Sequence, residues 1–404
     1  MQRLVARTPQ VFREKYDIDA RVLHEVVELD LARQRVRVQA VGEDKRGSQR
    51  TYSQQTWWEP FDQLLIATGA VPIRPDVPGA NARGIYGLST LQSGIEVRRA
   101  LDKGGARRAV IVGGGTIGLE MAEGLRRRAL DVALVEKMPQ VMNTLDPDMG
   151  ALVSEALRNV GVDLYLSESL VAFEISDGHV RAVVTDQRTL EADPVILGIG
   201  VRPNSTLAEK AGLSLGERGA IRVNERMQTT AEGVWAAGDC VESFHLVSRR
   251  PFYVALGTHA NKQGRIAGIN LGGGYATFPG VVGTAVSKIC ALEVARTGLQ
   301  EREIQQLGLE YASAKIESRT RAGYYPGAGR ITVKMLAEKG SGRLLGGQIV
   351  GIEGAAKRID VLATALHARF TVQEMIDLDL SYAPPYSPVW DPVLIAARQV
   401  AKLV

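Results

Sequence analysis

The segment that most constrains this chain is residues 107–136, which predicts a strand, a glycine turn, a helix and a second strand ending on an acid. Gly113, Gly115 and Gly118 have G-x-G-x-x-G spacing. The first glycine permits the tight turn, the second lets a pyrophosphate approach the backbone, and the third lets the helix pack on the strand. The helix N-terminus then offers free N–H groups to the phosphates. The segment therefore predicts a dinucleotide site.

The acid that ends this unit, Glu136, follows the glycines at the distance where a carboxylate hydrogen-bonds the adenosine ribose. A carboxylate repels a 2′-phosphate, so Glu136 favours NADH. The adjacent Lys137 keeps NADPH open as an alternative.

Composition limits the remaining possibilities. A chain of 404 residues is too long for one hydrophobic core, so two or three domains are expected. The net charge of +4 is small and the basic residues are scattered, which argues against nucleic-acid binding. No apolar run reaches the roughly 18 residues of a membrane span. Cys240 and Cys290 form no metal-ligand pattern, so we expect a cytoplasmic protein without a metal site.

Small residues follow predicted buried strands at three further places. Residues 61–70 end in Ala67, Thr68 and Gly69, and residues 195–200 end in Gly200. Such residues let the backbone lie against a flat ligand, since nothing projects from it. Open α/β sheets bind ligands beyond the carboxyl ends of their strands, so both stretches are candidate binding sites.

The third strand, residues 233–237, leads into Gly238 and Asp239. A predicted helix over residues 256–271 follows and carries Thr258 and Ala260 near its start. Asp239 is suited to holding a sugar-like hydroxyl, with an ordinary helix-capping acid as the alternative. The helix N-terminus would stabilise negative charge on a bound ligand.

Two regions outside these motifs carry simpler predictions. Residues 42–56 are polar and predict turns. From about residue 278 the pattern becomes strands followed by helices, which predicts an α+β unit with an antiparallel sheet. The proline-rich, aromatic tail, residues 380–404, is expected to be docked, most simply in a partner subunit.

Taken together, these stretches resemble the flavin-dependent pyridine nucleotide–disulfide reductases, and among them the coenzyme A disulfide reductases and NADH oxidases that use a single active cysteine. The likeness covers essentially the whole chain. It is carried by ATGAVP (67–72), VIVGGGTIGLEMAEGL (110–125), TTAEGVWAAGDCVE (229–242), GTHANKQGRIAG (257–268), RAGYYPG (321–327) and YAPPYSPVWDPV (382–393).

The resemblance implies an α/β fold with two Rossmann-like nucleotide-binding domains, the first of them incomplete, and an α+β C-terminal dimerisation domain. The implied segments are a partial FAD-binding domain (1–104), an NAD(P)H-binding domain (105–224), a second FAD-binding segment (225–276) and the dimerisation domain (277–404).

The resemblance also implies roles for individual residues. FAD would lie against residues 67–69, Gly238, Asp239, Thr258 and Ala260, and NAD(P)H against Gly113, Gly115 and Gly118. Gly200 would also face a bound cofactor. Glu120 matches a glutamate near flavin and nicotinamide, with a solvent-facing helix residue as the alternative. Tyr325 and Tyr382 would lie near the disulfide and flavin of the neighbouring subunit, with interface packing as the alternative. Thr116 stands where the family often has an aromatic ring, which implies a more open nicotinamide pocket, with substitution by a neighbouring side chain as the alternative.

The sequence departs from this family at its beginning. The family pattern starts with an FAD-binding strand, GxGxxG turn and helix, and a redox cysteine follows; here Met1 comes after all of these. Neither Cys240 nor Cys290 has the context of that cysteine, and both are expected to be small buried side chains. We therefore expect the chain as written to bind FAD weakly or not at all.

The leading hypothesis is an FAD-dependent NAD(P)H oxidoreductase, a cytoplasmic homodimer that reduces a small-molecule disulfide such as coenzyme A disulfide or a persulfide. One alternative is an NADH oxidase, peroxidase or persulfide reductase on the same scaffold. Another is a non-catalytic dimeric remnant that still binds NAD(P)H. Neither nucleic acid nor membrane is an expected partner.

Overall fold

A computed structural model describes residues 4–43 and 50–404 of the chain. Residues 1–3 and 44–49, which belong to the predicted first FAD-binding segment, lie outside the described residues. The chain forms two compact units. Unit 1 contains residues 1–70, 203–242 and 255–278, and unit 2 contains residues 71–202, 243–254 and 279–404.

The secondary-structure elements are numbered in chain order. Those before the glycine turn are α1 (Pro9–Tyr16), β1 (His24–Asp30), β2 (Arg35–Glu43), β3 (Arg50–Pro60), β4 (Leu64–Ile66), β5 (Ala70–Pro72), β6 (Ile85–Gly87) and α2 (Leu91–Asp102). Those of the central region are β7 (Arg108–Val112), α3 (Thr116–Arg127), β8 (Asp131–Glu136), α4 (Pro147–Asn159), β9 (Val162–Leu166), β10 (Leu170–Ser176), β11 (His179–Thr185), β12 (Thr189–Glu191), β13 (Val195–Leu197), β14 (Val201–Pro203) and α5 (Thr206–Lys210).

The remaining elements are β15 (Val234–Ala236), β16 (Ser243–His245), β17 (Arg250–Phe252), α6 (Gly257–Leu271), β18 (Ala285–Ile289), β19 (Leu292–Gly298), α7 (Glu301–Gln306), β20 (Tyr311–Arg319), β21 (Arg330–Glu338), β22 (Leu344–Gly351), α8 (Ala355–Ala368), α9 (Val372–Ile376) and α10 (Pro392–Val400). Single 3-10 turns lie at Leu31–Arg33 and Glu217–Gly219. Within the described residues, no helix is both long enough and apolar enough to cross a bilayer.

Unit 1 contains a parallel pair of strands, β4 and β15, and an antiparallel sheet in the order β1-β2-β3. The parallel pair aligns Leu64 with Val234 and Ile66 with Ala236. Ile66 and Ala236 belong to the apolar core of this unit, together with Cys240. The carboxyl ends of β4 and β15 therefore lie side by side.

The prediction of turns over residues 42–56 is wrong for the described part of that stretch. Residues 42–43 end β2, and residues 50–56 begin β3. The strand forms because it pairs with β2, for example Gln39 with Thr56 and Val38 with Trp57. This long-range pairing supplies backbone hydrogen bonds that a polar local sequence does not reveal.

Unit 2 contains the predicted parallel sheet, in the order β6-β13-β7-β8-β9. The inner strand β13 is buried along its whole length, because helix α3 covers one face of the sheet and the strands β10 and β11 pack on the other. Helix α3 packs on this sheet through Gly118, Leu119, Ala122 and Leu125, which recur at helical spacing. The meander β10-β11-β12 forms a separate small sheet.

The C-terminal part of unit 2 is an antiparallel sheet in the order β18-β19-β22-β21-β20, followed by helices α8 to α10. This confirms the predicted α+β unit. The expected docking of the tail in a partner needs correction for its last helix. Helix α10 begins at Pro392, with the Asp391 carboxylate accepting a hydrogen bond from the Val393 N–H, and it buries Val393, Ala397 and Val400 in the core of its own unit.

One histidine of this unit predicts an acid-sensitive fold. His245 is 2% exposed, and burial, reinforced by Arg296 and partly opposed by Glu303, lowers its pKa to about 4. Between pH 6.5 and 4, the His245 side chain is therefore protonated in the unfolded chain and neutral in the folded chain. The free energy of unfolding, which is highest above pH 6.5, falls as the pH drops through this range. The expected loss is about 3 kcal/mol.

The measurement is urea unfolding across this pH range. His245→Asn should flatten the profile, because an amide oxygen can still accept the Ser248 N–H now bound by the His245 Nδ1. His179→Asn is the control, since His179 is exposed. An equal pH slope in the His245→Asn and unsubstituted chains would contradict the assignment.

Candidate functional site

Two of the three glycines of the G-x-G-x-x-G motif, which spans the turn after β7 and the start of α3, are required by packing. Gly113 has φ +105, and a Cβ there would lie 2.6 Å from the Gly198 carbonyl. A Cβ at Gly118 would lie 2.1 Å from the Gly113 carbonyl oxygen. Both positions exclude any larger residue, because the obstructing atoms are backbone.

Gly115 differs, because the fold itself leaves room for a side chain there. It is the N-cap of α3 at φ −81, and a Cβ would come no closer than 3.5 Å to the Gly198 oxygen. No side chain caps this helix, so the first N–H groups of α3 are free for a ligand. Thr116, the first helical residue, is exposed beside them. The fold therefore does not require the absence of a side chain at Gly115.

Glu136 ends β8 next to this turn. Its Oε2 accepts a hydrogen bond from the Gly114 N–H at 2.6 Å, and its Oε1 accepts one from the Met138 N–H at 2.8 Å. Each carboxylate oxygen has a further lone pair for a ribose hydroxyl. Glu136 thus fixes the loop as well as facing it, a contact that its spacing in the sequence does not reveal.

In unit 1, the Ala67–Gly69 turn and the Gly238–Asp239 turn are brought together by the pairing of β4 with β15. The Ala237 N–H donates to the Ile66 carbonyl at 3.0 Å, immediately before both turns. The Thr68 hydroxyl donates to the Asn204 carbonyl at 2.5 Å. The two motifs therefore form one continuous edge.

Helix α6 begins beside the same edge. A Cβ at Gly238 would lie 3.6 Å from the Ala260 Cβ, and the Gly238 N–H donates to the Gln263 side-chain oxygen at 2.9 Å. Thr258 is exposed in the first turn of α6, which has no side-chain cap. Gln263, which is 2% exposed, was not among the predicted site residues. The only signal in the sequence is its position in the ANKQG run (260–264) of the predicted helix.

The residues at this edge fit a flat anionic cofactor such as FAD. Gly69 and Gly238 have φ +70 and +86, and no atom lies within 4 Å of a Cβ built at Gly69. Asp239 is half-buried, and burial raises the pKa of its carboxyl. Gly200 follows β13 in unit 2, where its carbonyl accepts a hydrogen bond from the Ile73 N–H.

The two tyrosine motifs of the C-terminal region meet in unit 2. The Ala322 N–H donates to the Pro384 carbonyl at 3.1 Å. Tyr325 and Tyr382 are 37% and 46% exposed, so both are accessible on this chain. A hydrogen bond with Tyr324 raises the pKa of Tyr382. Tyr324, the first tyrosine of the Tyr-Tyr-Pro motif, is therefore a partner that the sequence analysis missed.

The remaining candidates are Glu120 and the cysteines. Glu120 is exposed on α3, and its partial burial and the nearby Glu123 raise the pKa of its carboxyl. Cys240 is fully buried and Cys290 is 9% exposed, and burial raises the pKa of both thiols. Raised thiol pKa values and burial oppose nucleophilic chemistry, which agrees with their expected packing role.

A parallel sheet with a glycine turn at a helix N-terminus and an acid beyond the next strand defines an NAD(P)-type dinucleotide-binding protein. A family model for pyridine nucleotide-disulphide oxidoreductases matches residues 4–264, and the model for the dimerisation domain of the same family matches residues 284–392. The chain belongs to the pyridine nucleotide-disulphide oxidoreductase family, whose members are FAD-dependent NAD(P)H oxidoreductases. The predicted family, fold class and cofactors are confirmed.

Individual relatives of this chain include proteins named as coenzyme A-linked sulfur reductases and proteins named as NADH oxidases. The NAD(P)H coenzyme A polysulfide/persulfide reductase of Pyrococcus horikoshii is 37% identical over 98% of this chain and 85% of its own length. The NADH oxidase of Methanocaldococcus jannaschii is 35% identical over 99% of this chain and 86% of its own. The solved structure of reduced Bacillus anthracis CoADR-RHD has a TM-score of 0.92 at 36% identity, covering 100% of this chain and 70% of that one.

Proposed function

We propose that this chain is a reductase of small-molecule disulfides or persulfides linked to coenzyme A, with NAD(P)H as electron donor. The observation that carries the proposal is the glycine turn, in which Gly115 is left without a side chain although the fold has room for one. The name of the Pyrococcus horikoshii relative supports the substrate class. A homodimeric, cytoplasmic protein, and the four domain segments given above, are parts of this proposal.

Each candidate residue has a proposed task. Gly113, Gly115 and Gly118 shape the turn that binds the NAD(P)H pyrophosphate, with Thr116 at its edge, and Glu136 binds the ribose. The described ends of β4 and β15, with the start of α6, would hold FAD, which supplies the two-electron carrier when bound. Glu120 is a proton-holding group near the nicotinamide, and Tyr325 and Tyr382 contact the disulfide.

A second acceptor, molecular oxygen, is also proposed because of a specific observation. Both cysteines of the described residues are buried, so neither offers an accessible thiol for exchange with a disulfide. The relative from Methanocaldococcus jannaschii is named an NADH oxidase. Oxygen reduction is therefore the competing activity on the same scaffold.

An NADH-oxidation assay with excess FAD distinguishes disulfide reduction from oxygen reduction. We expect NADH consumption without oxygen when coenzyme A disulfide is supplied, and much slower consumption at the same NADH concentration in a Gly115→Val variant. Consumption with oxygen alone would identify the oxidase. Binding of NADH without turnover under either condition would contradict both activities and leave a non-catalytic binding protein.

A further inference from the structure

A cavity of about 370 Å³ in unit 2 lies outside both nucleotide motifs. Its walls come from the turn after β16, the start of β22 and the end of α8. Three arginines line it, Arg249, Arg343 and Arg369, together with apolar side chains that include Val247, Leu344 and Leu366. The volume is within the range of small-molecule sites.

The charges of these arginines are incompletely balanced. The Arg343 guanidinium makes a two-bond ion pair with the Glu338 carboxylate, at 3.1 and 3.3 Å. Arg249 lies over the Phe244 ring, 5.3 Å from its centroid, and within the described residues neither it nor Arg369 has an ion pair. Arg369 caps the C-terminus of α8, whose dipole offsets only part of its charge. The cavity therefore keeps about two positive charges.

Two of these arginines have a backbone conformation that favours glycine. Arg249 and Arg369 both have φ +58, in the left-handed region where glycine is the low-cost residue. Replacing either arginine with glycine should therefore remove the guanidinium group without straining the backbone.

We propose that this cavity binds an organic phosphate. A phosphate monoester carries about −1.5 to −2 charges at pH 7, which matches the two guanidinium groups left without carboxylates. Guanidinium groups bind phosphate oxygens in pairs of parallel hydrogen bonds. The buried Val247, Leu344 and Leu366 side chains give the organic part an apolar surface, which free phosphate would leave unused.

The test is isothermal titration of phenyl phosphate into the full chain and into Arg249→Gly and Arg369→Gly. These variants relieve the left-handed backbone, so their unfolding temperature should not fall. Their affinity for phenyl phosphate should fall roughly ten- to hundredfold through lost charge-assisted hydrogen bonds. Arg218→Gly is the matched control, since Arg218 is an exposed arginine with φ +54 in unit 1, away from the cavity.

Further titrations with inorganic phosphate and benzoate define the ligand class. We expect phenyl phosphate to bind more tightly than either. No binding of phenyl phosphate at millimolar concentration, or binding that both arginine variants retain, would overturn the site, because the second result places the ligand elsewhere. If inorganic phosphate binds as tightly as phenyl phosphate, the cavity does not recognise an organic group. If benzoate binds as tightly, the cavity does not recognise phosphate.

Discussion

Gly115→Val should weaken NADH binding about 100-fold while the chain still folds. A Cβ added at this position would come no closer than 3.5 Å to the Gly198 carbonyl oxygen, an ordinary contact distance, so we expect the fold to tolerate the substitution. It would occupy the space in front of the free N–H groups of α3. Losing hydrogen bonds between these groups and a charged pyrophosphate costs enough for a change of this size. The measurement is NADH affinity by calorimetry.

Gly118→Ala is the matched control, because it should lower the free energy of unfolding much more than Gly115→Val does. Its added Cβ would lie 2.1 Å from the Gly113 carbonyl oxygen, so the helix must move away from the strand. We expect a loss of about 3 kcal/mol in the free energy of unfolding of unit 2. Gly115→Val should cost only about 1 kcal/mol, as a poor N-cap residue does. Similar losses in both variants would contradict the division of roles between these glycines.

Lys334→Met should destabilise unit 2 by about 3–5 kcal/mol, because it leaves the buried Asp146 carboxylate without its cation and two partly exposed carboxylates beside it. The Lys334 Nζ lies 2.8 Å from Asp148, 3.0 Å from Glu301 and 3.2 Å from Asp146. Burial alone would lower the pKa of Lys334, but these three acids outweigh it and raise the pKa. Asp146 is itself 2% exposed, so water cannot replace the lysine.

The matched control is Lys315→Met. Lys315 is 40% exposed and has a single partner, Asp148, at 3.4 Å, so its loss should cost no more than about 1 kcal/mol. Urea unfolding of both variants gives the comparison. If Lys334→Met unfolds at the same urea concentration as Lys315→Met, the buried cluster does not stabilise the contact between α4 and the sheet that contains β21.

Asp146 shows where sequence reasoning succeeds and where it stops. It directly precedes Pro147, a pattern typical of a helix start, and α4 begins there. Its side chain, however, makes no capping hydrogen bond. It binds the Gln348 amide at 2.7 Å and the Glu301 N–H at 3.0 Å instead. These partners are more than 150 residues away in the sequence, so local pattern could not predict them.

The same distinction applies to the candidate site. Spacing predicted the glycine turn, and small residues after β4 and β15 predicted their shared edge, because these features are local to the chain. Sequence could not predict that Glu136 holds the Gly114 N–H, that Tyr324 is hydrogen-bonded to Tyr382, or that α10 packs on its own unit. Each depends on packing between segments that are far apart in the sequence.

A crystal structure of the chain with NADH would test the central claim most directly. The account predicts the pyrophosphate within hydrogen-bond distance of the first N–H groups of α3, beside Gly115, with a ribose hydroxyl bound to the Glu136 carboxylate. NADH bound away from this turn, or a pyrophosphate with no contact to the start of α3, would contradict it.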